Sequence, residues 1–284
     1  MASKSEAVLI TGCSTGIGRE TARYLASDGW NVYATARKPD AIEDLKEAGC
    51  KTLACDVTDE ASMKACVEAV EDTEGAIGSL VNNAGYSQSG ALEEVPLDAV
   101  RRQFETNVFG LLRMCQLALP GMRRRGSGTI VNLSSMGGRL TFPGGGVYHA
   151  TKHAVEALSD ALRFEVAGFG VRVVLIEPGL ITTNFGETAA GSIGSELPSE
   201  GPYAEFNAAV AAETKGAYEG PLAKLGGGPD TVARKIERAI SSRRPKPRYT
   251  VTPSAKMSLG ARRMMTDRMW DRFVGTQFPH PGGS

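Results

Sequence analysis

Residues 7–27 constrain the fold of this chain more than any other stretch. A short apolar run, Ala7 to Thr11, breaks into TGCSTGIG, and from Arg19 to Ser27 the spacing of Ala22, Leu25 and Ala26 is helical. Strand, glycine turn and helix in that order begin a βαβ unit. Gly12, Gly16 and Gly18 supply a tight turn, a backbone that can approach a ligand, and a helix N-terminus whose free amides favour an anion such as a pyrophosphate. Ser14, Thr15 and Ile17 stand in the same turn and share that role. The spacing departs from the general G-x-G-x-x-G pattern, so a plain strand-to-helix turn is the competing reading.

The alternation continues along the chain. Strands are expected at Trp30–Ala36, Lys51–Ala54, Leu80–Asn82, Gly128–Leu133, Val171–Glu177 and Arg248–Thr252. Helices are expected at Asp59–Glu74, Leu97–Arg125, around Tyr148 and Lys152, at Thr231–Ser242 and at Ala255–Phe273. This order predicts an α/β fold, a doubly wound parallel sheet with helices on both faces, in a single domain spanning 1–284. Val171–Glu177 is a continuous β-branched run of the kind buried on both faces. Within Leu97–Arg125, Asn107 is out of place in a helix interior, so it either binds a water or bends the helix. From 180 to 228 apolar residues thin out. That segment reads as a cover over a substrate with one or two short helices, or as chain without a role.

Composition narrows the partners. Lys plus Arg and Asp plus Glu both total 32, which gives no basis for nucleic acid or an acidic partner and points to a small molecule. The five cysteines are odd in number and form no C-x-x-C pair, as expected of reduced thiols in a cytosol. With no export signal and no long apolar run, the chain is expected to be soluble and cytoplasmic. The 255–273 helix mixes methionines and Trp270 with arginines; it packs on its own domain, on a sister subunit, or on a membrane surface.

About twenty residues past the glycine turn, an acid would hold the ribose hydroxyls of NAD. Here stand Arg37 and Lys38, which suit a 2′-phosphate and predict NADP(H), unless they are only solvated surface cations. Asp56, beside Val57, is placed to accept from an adenine amino group or to cap the next helix. In NNAG, Asn83 can tie neighbouring strands while Ala84 and Gly85 let backbone pass close to a flat ligand; a plain turn is the alternative.

The stretch SSMGGRLTFPGGGVYHATK carries the chemistry. Tyr148 and Lys152 are four apart, on one helical face, and an ammonium beside a phenol stabilises the phenolate and eases proton exchange near neutral pH. Ser135 lies thirteen residues before Tyr148, behind a Gly- and Pro-rich loop that can bring its hydroxyl back to the phenol; Ser134 competes for that position. A hydroxyl and a proton-donating phenol aimed at one oxygen describe carbonyl reduction. His149 and His153 have a spacing that metal sites use, but with no third ligand no metal is expected.

Together, TGCSTGIG, NNAG, Asn107, Ser135, Tyr148 with Lys152, and Pro178-Gly179 followed by Thr182 or Thr183 resemble the short-chain dehydrogenase/reductase family over essentially the whole chain. The turn MRRRGSG and the tail PKPRYTVT look most like its 17β-hydroxysteroid and retinol dehydrogenase types. The resemblance implies a Rossmann-type sheet of about seven strands and a tetrad of Asn107, Ser135, Tyr148 and Lys152. It also implies Pro178, Gly179 and Thr182 against a nicotinamide, a water seated by Asn107, and a dimer or tetramer built through the helices of Asn107 and Tyr148. The expected activity is NADP(H)-dependent interconversion of carbonyl and alcohol on a lipophilic, steroid- or retinoid-like substrate, with a β-ketoacyl or polyketide keto group as the enzymatic alternative and a non-catalytic NADP(H)-binding scaffold as the other.

Overall fold

The computed structural model describes residues 4, 6–183, 185–198, 200–219 and 224–282. Its centre is a parallel sheet of β1 (Ala7–Ile10), β2 (Asn31–Ala36), β3 (Lys51–Ala54), β4 (Ser79–Asn82), β5 (Gly128–Leu133), β6 (Val171–Glu177) and β7 (Arg248–Thr250). The strand order is β3-β2-β1-β4-β5-β6-β7, with Val8 opposite both Val32 of β2 and Ser79 of β4. The chain runs outward from β1 in one direction and then returns to lay β4 on its other side. At that reversal the connections leave the carboxyl ends of β1 and β4 on opposite faces, and a crevice opens between them.

Burial on both faces explains why the inner strands lack polar alternation, whereas the edge strands β3 and β7 are part-exposed. In β1, Ala7 and Leu9 enter one core layer, with Met63 and Val67 of α2 (Glu60–Glu74), Met114 of α4 (Leu111–Arg125) and Val155 of α5 (Gly146–Val166). Val8 and Ile10 enter the other, with Ala22 and Leu25 of α1 (Gly16–Ser27) and Val232 and Ile236 of α8 (Pro229–Ser241). The two-residue period of a strand makes this division automatic.

Three expectations need correction. The stretch from Leu97 to Arg125 is not one α-helix: α3 (Leu97–Phe104) and α4 are separated by a π-helical turn, Glu105–Gly110. Asn107 sits in that turn, and Gly110 follows where a Cβ would lie 2.3 Å from the Val57 carbonyl oxygen. The predicted helix at Ala255–Phe273 is two, α9 (Pro253–Met264) and α10 (Asp267–Val274), broken where Met265 is extended and the Thr266 side chain accepts from the Met269 amide. The 180–228 segment holds two helices longer than expected, α6 (Phe185–Glu196) and α7 (Ala204–Glu219). Ile193, Phe206 and Val210 from these helices bury with Ala91 as a small separate cluster. The chain at Pro39–Lys46, for which no element was expected, forms 3₁₀ turns. Among the described residues, no helix is long and apolar enough to cross a membrane.

Candidate active site

One cleft of about 1060 Å³ runs along the carboxyl ends of the strands, from Gly12 and Gly16 past Tyr148 and Lys152 to Phe278 near the C-terminus. At its nucleotide end the backbone itself makes the wall. Gly12 and Gly16 have φ of 73° and 61°, in the left-handed region that favours glycine. A Cβ on Gly12 would fall 2.8 Å from the Ala84 Cα, so the turns after β1 and β4 touch backbone to backbone. Asn83 fastens them: its Nδ2 donates to the carbonyls of Thr11 (2.9 Å) and Gly12 (3.0 Å), while Thr11 Oγ1 accepts from the Asn83 and Ala84 amides. Gly18 lies behind the wall, where a Cβ would be 2.3 Å from Asn83 Nδ2. The first turn of α1 has no acidic side chain, and Thr15 makes no side-chain cap. Its leading amides are therefore available to an anion.

Ser14, Thr15, Ile17, Arg37, Asp56, Val57, Asn83, Ala84 and Gly85 all reach this cleft. Arg37 is exposed at its rim and has no carboxylate in ion-pair range among the described residues. Lys38 is exposed but does not line the wall. Asp56 Oδ1 accepts from the Thr58 amide (2.9 Å) and hydroxyl (2.7 Å); the cap of α2 is Asp59, which accepts from the Ser62 amide.

At the reaction end, β5 delivers Ser134 and Ser135. Ser134 is buried, with Glu156 and Gly138 close by, whereas Ser135 is part-exposed and accepts from the Gly137 amide (3.1 Å) to start a 3₁₀ turn. Tyr148 and Lys152 lie one turn apart on α5, with Lys152 Nζ 5.7 Å from the centre of the Tyr148 ring. Lys152 Nζ donates to the Leu133 carbonyl (2.7 Å). Burial pushes the Lys152 ammonium down to about 8, with Glu156 one turn on opposing the shift. Gly85 completes the group: a Cβ there would be 3.1 Å from Asn107 Oδ1 and 3.8 Å from Lys152 Nζ.

The Asn107 amide is engaged with protein. Its Nδ2 donates to the Tyr86 carbonyl (2.9 Å) and Thr151 Oγ1 (3.1 Å), and its Oδ1 accepts from the Tyr86 amide. The bend in the helix is therefore tied to the loop after NNAG and to α5. Pro178 and Gly179 line the cleft, with Met136 N donating to the Pro178 carbonyl (2.9 Å). Thr182 is not on the wall: its amide donates to the Gly227 carbonyl in an isolated bridge beside Ile181, and the next residue, Thr183, faces the cleft.

Several residues of the site carried no sequence assignment. His149 is buried between the rings of Tyr148 and Phe142, and the ring of Phe185 of α6 meets Tyr148 at a tilt of 60°, centre to centre 5.4 Å. Burial pushes His149 down to about 4, with His153 adding to the shift, so it stays neutral at ordinary pH. Its Nδ1 accepts from the Phe142 amide, while His153 Nδ1 meets the His149 carbonyl, so the two rings do not converge. Behind Lys152, Arg248 joins Glu156 (2.9 Å), Asp160 (2.6 Å) and Glu177 (3.3 Å), clamping α5 to the strand that ends at Pro178.

The pattern of the short chain dehydrogenase family matches residues 6–191. This chain belongs to the short-chain dehydrogenase/reductase family. It is thus an oxidoreductase of CH–OH and carbonyl groups. It is 35% identical over 270 residues to the uncharacterized oxidoreductase YbbO of Escherichia coli strain K12, covering 95% of this chain and 94% of that one. It is 33% identical over 276 residues to an NADPH-dependent 3-dehydrocapnine reductase of Ornithobacterium rhinotracheale, covering 93% and 94%. A solved short-chain dehydrogenase from Streptomyces avermitilis is 35% identical, covers 96% of each chain and superposes with a TM-score of 0.78.

Proposed function

We propose that this family member is an NADP(H)-preferring enzyme that interconverts a ketone and a secondary alcohol on a lipophilic substrate of steroid, retinoid or long-chain type. The observation that carries the reading is one continuous cleft with Arg37, unpaired among the described residues, at one end and Ser135, Tyr148 and Lys152 toward the other. The fit to a dinucleotide rests on the cradle itself: Gly12 and Gly16 hold the left-handed backbone that shapes the turn, and the leading α1 amides lack a side-chain cap. Ser14 to Ile17 would hold the pyrophosphate, Arg37 a 2′-phosphate with Lys38 adding charge, Asp56 and Val57 the adenine, and Asn83 to Gly85 the middle of the ligand. Lys152 would hold the nicotinamide ribose, with Pro178, Gly179 and Thr183 against the ring.

NADPH, when bound, supplies the hydride. Tyr148 passes its phenolic proton to the carbonyl oxygen in reduction and takes it back in oxidation. The buried Lys152 ammonium stabilises the phenolate left behind, which lowers the barrier to donation. Ser135 donates a hydrogen bond to the same oxygen, and Asn107 positions the loop and helix that flank Lys152. Leu140, Phe142, Val210 and Phe278 line the far end of the cleft alongside Glu213, Thr214 and Gln277, and this apolar share supports a lipophilic substrate. The NADPH dependence and the reduction of a 3-dehydro compound in the name of the Ornithobacterium relative support the cofactor and the reaction type. A homodimer or homotetramer through the helices of Asn107 and Tyr148 is part of the proposal, supported by exposed Phe109 and Phe164 on them.

The test is NADPH oxidation by wild type and Tyr148→Phe with steroid, retinoid, long-chain 3-keto and β-ketoacyl substrates. Removing the hydroxyl is expected to lower kcat on the order of 10³-fold with NADPH binding retained. Equal turnover by the variant would refute the proton-transfer role, and turnover confined to β-ketoacyl thioesters would replace the substrate class.

A further inference from the structure

The outer side of α9 and α10 is left unused by the site. On α9, Met264 stands exposed at the end of the outer side, and Lys256 and Arg263, seven apart, share the stripe beside it. On α10, Arg268 and Arg272 are four apart and exposed, with Met269 and Phe273, also four apart, beside them. Met264 is 86% exposed. Lys256, Arg263, Arg268 and Arg272 have no carboxylate in ion-pair range among the described residues; the neighbouring Arg262 is paired with Asp267 at 2.6 Å. The inner side is firmly seated: Trp270 and Val274 bury with Leu140, Trp270 Nε1 donates to the Thr141 carbonyl (3.0 Å), and the Trp270 ring meets Phe142. Met257, Ser258, Gln277 and Phe278 line the cleft, so the helix pair stands at its mouth.

We propose that this outer face docks on an anionic lipid bilayer, with Met264, Met269 and Phe273 entering the interface and Arg263, Arg268, Arg272 and Lys256 meeting lipid headgroups. Unpaired cations interleaved with exposed, flexible apolar side chains are what a helix lying in a bilayer interface requires. A second copy of this chain suits the face less well, because a two-fold contact would set the same cations against one another. Docking there would turn the mouth of the cleft toward the phase in which lipophilic molecules reside. Docking is read by vesicle binding, so its failure is distinguishable from a failure of the assigned reaction.

The experiment is sedimentation of the full-length protein with phosphatidylcholine vesicles, alone and mixed with phosphatidylglycerol. Binding is expected to the mixed vesicles, weakly or not at all to phosphatidylcholine, and to fall as salt rises. Arg263→Gln, Arg268→Gln and Arg272→Gln together are expected to weaken binding on the order of a hundredfold, at about fivefold for each cation. Met264→Ser with Met269→Ser is the second variant, expected to weaken it several-fold with less effect on its salt dependence. Both variants should keep the thermal transition of the wild type and its turnover of a water-soluble ketone, which separates lost docking from lost folding. No binding to either vesicle, or binding that neither variant reduces, overturns the proposal. So does a change in oligomeric state produced by these variants in the absence of vesicles, which would assign the face to a sister subunit.

Discussion

The two ends of the cleft are built by different means. At the nucleotide end, main chain rests on main chain: Gly12 against Ala84, Gly18 against the Gly12 carbonyl, Gly110 against the Val57 carbonyl. At the far end, side chains set the spacing: Phe185 on Tyr148, Phe142 on Trp270, and Val210 filling the space beside Gly144, where a Cβ would lie 2.4 Å from it. Backbone contacts leave no room for substitution and suit a ligand of fixed shape. Side-chain contacts can be exchanged for others of similar volume, which lets one scaffold accept different substrates.

Adding one methyl group at the nucleotide end should have the largest effect. Gly18→Ala places a carbon 2.3 Å from Asn83 Nδ2 and 2.4 Å from the Gly12 carbonyl oxygen, and the latter cannot rotate away. We expect a loss of about 3 kcal/mol of stability with NADPH binding abolished, read by thermal unfolding and fluorescence titration. Unchanged stability would show that the turn is softer than its contacts indicate.

Acid should distinguish the ends next. Because the folded His149 titrates at about 4 against an ordinary value of 6.5, the unfolded chain takes up a proton in that interval that the folded one does not. The stability that a neutral His149 confers is complete above about 6.5 and is lost as pH falls toward about 4, amounting to about 3 kcal/mol at most. His149→Gln removes the titration, so its melting temperature should fall less than that of the wild type between pH 7 and pH 4. Parallel curves for the two proteins would mean that the ring is solvated in solution.

Cofactor choice gives a smaller effect, confined to the nucleotide end. Arg37→Asp exchanges a cation for an anion at the cleft rim without touching the backbone cradle. NADPH affinity should fall by about 2 kcal/mol, roughly thirtyfold, while NADH affinity stays the same or rises. Equal losses for both would show that Arg37 supports the turn and does not read the phosphate.

The sequence made the backbone-built end legible because its signals are local. TGCSTGIG lies within eight residues; at the reaction end the one local pair, Tyr148 and Lys152, was legible for the same reason, a single helical turn. Where the deciding partner is distant, the reading stayed open or incomplete. The π turn at Asn107 depends on Tyr86, Val57 and Thr151, which no periodicity in Leu97–Arg125 encodes. The choice of Thr183 over Thr182 follows from the bridge between Ile181 and Gly227. Arg248 reaches Glu156 across 92 residues. The break between α9 and α10 was readable, since Thr266 stands three residues before Met269 as a cap, but the continuous run of methionines and arginines masked it.

The smallest effect is expected from the same chemical change made at the far end. Gly216 lies in α7, exposed, and a Cβ there meets no atom within 4 Å outside its own helix. With no clash to oppose it, Gly216→Ala should act through helix propensity and the reduced freedom of the unfolded chain, stabilising by about 0.5–1 kcal/mol. The melting temperature should rise by about 2 °C, with NADPH affinity unchanged. Gly18→Ala and Gly216→Ala add the same methyl group, so measuring both isolates the surroundings as the variable. If Gly216→Ala destabilised the protein as much as Gly18→Ala, α7 would be packed as tightly over the cleft as the glycine turn is beneath it, and the contrast between the two ends would fail.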